Sequence, residues 1–131
     1  MGYSNKVRAA VYPPPALSVL QAVDSYCMLK VIVGAQFEDV VKAFLGNFEW
    51  DDHNCTLQFR ADYTKWGRDR YPECTMFYAM LEKLEELGYG FDFIRVGEED
   101  GDIETLCSGN NDYVLSTEVF INYDPIMRKA E

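Results

Sequence analysis

One histidine, four cysteines and 12 Lys+Arg against 22 Asp+Glu are the scarcities of this 131-residue chain. The single His53 removes every metal motif built on two histidines. It also leaves any Cys–His nucleophile pair one base to recruit. Cys55 falls on the same strand face as His53, and no third group stands by to orient the imidazole. Cys27, Cys55, Cys74 and Cys107 contain no C-x-x-C pair, which excludes a zinc ribbon or a thioredoxin-type redox pair. No serine sits in G-x-S-x-G, and neither G-x-x-x-x-G-K-[ST] nor G-x-G-x-x-G occurs, so a nucleophile elbow and a phosphate cradle are both missing. No apolar run reaches the length of a spanning helix, and the start Met1–Lys6 is too polar for a signal peptide. Lys6 stands where a myristoylation motif requires Ser or Thr. A cytoplasmic protein with reduced thiols is expected, in which the sequon Asn54-Cys55-Thr56 is idle.

The shortage of positive charge leaves a formal net charge of −10. A polyanion repels such a chain, so direct nucleic-acid binding and an anionic membrane surface are both disfavoured as partners. What the chain does have is apolar: 48% hydrophobic and 15% aromatic residues fill a core. The length fits one domain over residues 1–131, with 124–131 as a loosely held tail after Asp124-Pro125.

Val7, Ala9 and Val11 alternate within a strand over Lys6–Tyr12, which Pro13-Pro14-Pro15 ends. The prolines serve as a connection rather than as an SH3-type ligand. Leu17, Leu20, Ala22 and Val23 predict a short helix over Ala16–Tyr26, and Leu29–Val33 reads as a short strand closed by Gly34. Phe37, Val40, Val41, Phe44 and Leu45 follow helical spacing, with Glu38 and Asp39 at the positive end of the dipole and Gly46 after the last turn. Phe48 and Trp50 form a hairpin across Asp51–Asn54 with Thr56–Tyr63, where Leu57, Phe59, Ala61 and Tyr63 alternate inward. Pro72 opens a helix whose stripe is Met76, Phe77, Met80, Leu81, Leu84 and Leu87, ended by Gly88. Phe91–Val96 and Tyr113–Asn122 are further strands. The order predicts an α+β fold, a mainly antiparallel sheet with two to three helices on one face and a ferredoxin-like core.

Carboxylates are the abundant chemistry. Asp51, Asp52 and Asp62 form one group; Glu98, Glu99, Asp100, Asp102 and Glu104 form another. Glu98–Asp102 lacks the order and the closing Glu of an EF-hand, so no metal site and no cofactor is expected. Charge is polarised. Glu82, Glu85, Glu86, Asp92, Glu98, Glu99, Asp100, Asp102 and Glu104 face only Lys83 and Arg95, a local net of −7. By contrast Arg60, Lys65, Arg68 and Arg70 outnumber Asp62 and Asp69. Such polarity steers encounter with a complementary partner. The loop Lys65–Tyr71 brings together Trp66, Arg68, Arg70 and Tyr71, residue types enriched at interface hot spots.

The run Phe93-Ile94-Arg95-Val96-Gly97-Glu98-Glu99-Asp100-Gly101-Asp102-Ile103-Glu104, after the Trp66 loop and the Pro72–Leu87 helix, resembles small acidic proteins of bacteriophages and prophages. The resemblance covers a third to a half of the chain and brings no catalytic residues. It implies, by category, an inhibitor of host defence, anti-CRISPR proteins included, acting in the bacterial cytoplasm. The first functional reading is therefore non-enzymatic. Glu82, Glu85, Glu86, Glu98, Glu99, Asp100, Asp102 and Glu104, with Trp66, Arg68, Arg70 and Tyr71, engage a basic surface of a host protein, imitating DNA charge. The second is a carboxylate- and metal-dependent enzyme acting on nucleotides or nucleic acid through Asp51, Asp52 or Asp100. The third is a structural homo-oligomer paired along Tyr113–Asn122.

Overall fold

The computed structural model describes residues 4–14 and 17–108. At its centre, β1 (Asn5–Tyr12) carries Val7, Ala9 and Val11 on one face, all shielded from solvent. It pairs antiparallel with β3 (Thr56–Thr64) on one side and β4 (Gly90–Gly97) on the other. β2 (Phe48–Asp51) and β5 (Ile103–Cys107) sit at the two margins, giving the order β2-β3-β1-β4-β5. Three helices, α1 (Val19–Gln36), α2 (Glu38–Ala43) and α3 (Pro72–Glu86), pack against the Val7–Val11 face. The connection from β1 to β4 with the order β2-β3-β1-β4 is the split β-α-β arrangement of ferredoxin-like folds, with β5 added as a margin strand. The expected α+β class and helix-on-sheet layering are what the chain forms.

Aromatic rings supply the core. Phe77 of α3 is fully buried and lies 4.6 Å, centroid to centroid, from Phe59 of β3. Trp66, Phe44 and Phe48 close around it at 5.4, 5.9 and 6.1 Å. Tilted and edge-on contacts of this kind exceed plain area burial by about 0.5–1.5 kcal/mol a pair.

Four sequence expectations are corrected. The strand at Leu29–Val33 is absent, because α1 runs unbroken through it to Gln36. Ser18 starts the helix through a capping box, its Oγ accepting from the Gln21 N–H while Gln21 Oε1 accepts from the Ser18 N–H. Tyr26, Leu29 and Val33, spaced three and four apart, are the residues it buries. The β-branched Val31-Ile32-Val33 has strand propensity, but packing of this spacing overrides it. Second, Leu45 and Leu87 are exposed rather than inward, since α2 and α3 end before reaching them. Gly88 then turns the chain at φ +100, where a side chain is strained. Third, Tyr63 is exposed, because β3 carries an extra residue between Ala61 and Thr64 that breaks the alternation. Fourth, Ile103–Cys107 forms a strand that the sequence expectation left unassigned. The expected strand Tyr113–Asn122 and the tail 124–131 lie outside the described residues.

On the face away from the helices, the buried Arg8 donates through Nη2 to Asp62 Oδ1 at 2.8 Å. Burial raises the Asp62 carboxyl, but the hydrogen bond and charge of Arg8, aided by Arg60 and Lys6, outweigh it and hold the group below the ordinary carboxylate range. A depressed folded pKa contributes stability above the unfolded value, near 4, and loses it as pH falls through the folded value. Asp62→Asn is therefore expected to melt below wild type at pH 7. The deficit, about 1 kcal/mol for a partly exposed charged pair, should shrink towards zero below about pH 3. Thermal melts across that range check this; a deficit independent of pH would refute it.

Candidate partner-binding surface

Strand register sorts the carboxylates into two groups at opposite ends of the sheet. Leu57 of β3 pairs with Val11, and Val11 with Phe91, so the β2–β3 turn lies at the end where β4 begins. Asn5 pairs with both Thr64 and Gly97, so the β4–β5 turn lies at the other end. Eight residues of strand separate the two ends by roughly 25 Å. Glu85 and Glu86, closing α3 just before β4, share the first end; Glu98, Glu99 and Asp100 occupy the second. The expected single acidic surface is thus divided. The metal set is divided with it, since Asp51 and Asp52 stand at one end and Asp100 at the other. Asp51 caps its own turn, accepting from the N–H groups of His53 and Asn54, and Asp52 accepts from Tyr26 and Lys30. The Asn54 side-chain amide, which donates to Asp51 Oδ2 at 2.7 Å, chiefly holds the Asp51 carboxyl below its ordinary range against the effect of burial, and the Tyr26 and Lys30 bonds do the same for Asp52. Among the described residues no three His, Cys, Asp or Glu side chains group to hold a metal ion.

Arg95 neutralises part of the acidic run. Its guanidinium donates to Asp102 Oδ1 at 3.0 Å, to Glu104 Oε1 at 3.1 Å and to Asn5 Oδ1 at 2.8 Å. The Asp102 bond foremost, against the opposing effect of burial, raises its pKa further, so the charge is permanent. Glu104 also accepts from the Tyr78 hydroxyl at 3.0 Å, and that hydroxyl accepts from Trp66 Nε1–H at 2.9 Å. Burial pushes the Tyr78 phenol up and the Glu104 charge adds to this, while the Trp66 bond opposes it, so the phenol stays a donor. Above this chain Arg68 lies over the Tyr78 ring, 4.4 Å from its centroid, and pairs with Glu82 at 3.0 Å.

Trp66 is buried, its indole spent on Tyr78, and is not available to a partner as the sequence reading required. Tyr71 is half-buried and packs on the core where α3 starts. Arg70 is exposed in the turn before it. Tyr89 is buried and donates to the Ser25 carbonyl at 2.8 Å; Tyr113 and Tyr123 lie outside the described residues. Glu82, Asp102 and Glu104 carry ion pairs, and Glu98, Glu99 and Asp100 are exposed at the far end.

Those three line an open cleft of about 420 Å³ together with Ser4, Asn5, Lys6, Tyr63, Val96 and Ile103. Ser4 N–H donates to the Glu98 carboxylate. Tyr63, 74% exposed, holds φ +54, a conformation that a bulky residue rarely adopts, and the Lys6 ammonium sits 3.6 Å from its ring centroid. Ile103 adds apolar area. The Lys6 ammonium thus covers the Tyr63 face from within the chain, and the carboxylates of Glu98, Glu99 and Asp100 line the same cleft. Sequence reasoning missed Tyr63, Lys6 and Ile103. No glycine announces the bulge that turns Tyr63 outward, so no local signal was present to find it.

Fold and surface together define an acidic α+β domain of ferredoxin-like topology with a mixed acidic and aromatic cleft at one sheet end. No protein-family model, curated protein or solved structure matches this chain. Among the described residues no helix is long and apolar enough to cross a membrane.

Proposed function

We propose that the protein acts without catalysis, as a phage-type inhibitor or adaptor that receives a basic segment of a host protein in the cleft between Tyr63 and the β4–β5 turn. The observation that carries this reading is the convergence of Glu98, Glu99 and Asp100 with the exposed Tyr63 and Ile103 around one open cleft. Exposed aromatic and aliphatic anchors beside charge supply both contact area and steering. A continuous imitation of a phosphate backbone is not required. Three of the eight expected acids are held in ion pairs, and two more lie at the opposite end of the sheet.

Tagged protein used as bait in bacterial lysate at low salt tests the proposal. A host protein should be retained by wild type and by the E85K/E86K variant, and lost from E98K/E99K/D100K and from Tyr63→Ala. Retention should fall at least tenfold on raising the salt, as expected for exposed charges. Equal loss from both charge reversals would show indiscriminate electrostatics and defeat the reading, as would retention unaffected by Tyr63→Ala.

A further inference from the structure

The surface of α1 is unlike the rest of the molecule. In a chain of net charge −10, its eighteen residues carry one acid, Asp24, and one base, Lys30. The face opposite the buried Leu29 is largely apolar and open to solvent: Leu20 is 78% and Val31 64% exposed, and Val19 and Met28 on its flanks are 80% and 55% exposed. Val23 is also exposed, and Cys27 lies at the middle of the stripe that Leu20, Val23 and Val31 form at three- and four-residue spacing. Exposed apolar faces of this extent mark an interaction surface.

We infer that this face binds a second copy of the chain, α1 packing antiparallel on its own counterpart about a two-fold axis beside Cys27. Two observations choose that occupant. First, two copies at −10 repel, and the near-neutral α1 face is where they approach with Asp24 of one copy level with Lys30 of the other, three residues to either side of Cys27. Second, the stripe is self-complementary about Cys27. Leu20 and Gly34 lie seven residues to either side, so the bulky Leu20 of one copy comes level with the bare backbone of the other. Val23 and Val31 lie four to either side and come level in the same way. A Cβ built at Gly34 would meet nothing within 4 Å, so the space that would receive a partner's leucine is open. A mid-helix glycine costs about 1 kcal/mol relative to alanine, and close helix approach gives it a purpose. This surface is distinct from the cleft, and the two readings stand or fall separately.

Sedimentation equilibrium of the full chain across a wide concentration range tests the inference. Wild type should give twice the monomer mass, and Leu20→Glu and Val31→Glu, both at exposed positions, should weaken association at least tenfold while circular dichroism stays unchanged. Gly34→Leu is the sharper variant, because it should raise the melting temperature of the dilute monomer yet weaken the dimer. In a C55S/C107S background, a short bis-maleimide should link two copies through Cys27, and Cys27→Ser should abolish the link. A monomer at every concentration overturns the proposal. So does a dimer mass indifferent to Val31→Glu and Gly34→Leu, or monomeric protein that binds zwitterionic vesicles through α1 instead.

Discussion

Phe77→Ala should lower the unfolding free energy by about 3–5 kcal/mol, a large share of the 5–15 kcal/mol that holds a domain of this size. The residue is fully buried, and its ring meets those of Phe44, Phe48, Phe59, Trp66, Tyr78 and Phe93 within 6.4 Å. Removing it forfeits the transfer energy of the ring and leaves a cavity that six stiff neighbours cannot fill. Phe77→Leu keeps most of the volume and should cost less than half as much. Urea titration measures both. A loss under about 1.5 kcal/mol for the alanine variant would mean that the aromatic cluster rearranges rather than opens. The larger loss also has a functional side, because Phe77 backs Trp66 and Tyr78, and through them Glu104 and Arg95 under the β4–β5 end.

Gly90→Ala is the second large effect, and it runs the other way, by overfilling. Gly90 begins β4 directly opposite Tyr12 of β1, whose ring lies across it. An added Cβ would sit 2.2 Å from Tyr12 Cε2 and under 3 Å from two further ring atoms. Tyr12 is only 1% exposed, so its ring has no open space to swing into. Overpacking usually costs about 1–3 kcal/mol, and a clash this close against a held ring belongs at the upper end or beyond. Gly90→Ala in a Tyr12→Ala background removes the obstruction. The double variant should be no less stable than Tyr12→Ala alone, and a double-mutant cycle on melting data reads the coupling. Equal destabilisation by Gly90→Ala with and without the tyrosine would locate the cost elsewhere.

Much of this architecture is legible in short stretches of sequence because the forces that set it are local. Pro72 at the first turn and the Met76–Leu84 spacing define α3; the alternation in Lys6–Tyr12 and Thr56–Ala61 defines two strands, and the Asp51–Asn54 turn joins a hairpin. Each of these follows from a period or a turn residue acting within a few positions. Where the readings go astray, distant contacts decide. Leu29–Val33 has the composition of a strand, and only the placing of Tyr26, Leu29 and Val33 against the core makes it helix.

The acidic run shows the same division. Composition by itself determined that the chain is strongly negative, that its excess lies between Glu82 and Glu104, and that no familiar nucleophile, phosphate or two-histidine motif is present. Tertiary structure alone decided what those charges do. The register of β1 with β3 and β4 sends Glu85 and Glu86 to one end of the sheet and Glu98–Asp100 to the other. Arg95, fixed opposite Glu104 across β4 and β5, takes two of the acids out of play. A one-residue bulge turns Tyr63 out to face the remainder. Charge is a sum over residues and can be counted along the chain, whereas a site is a set of distances. Those distances are set by pairings between residues far apart in sequence, to which no local pattern is sensitive.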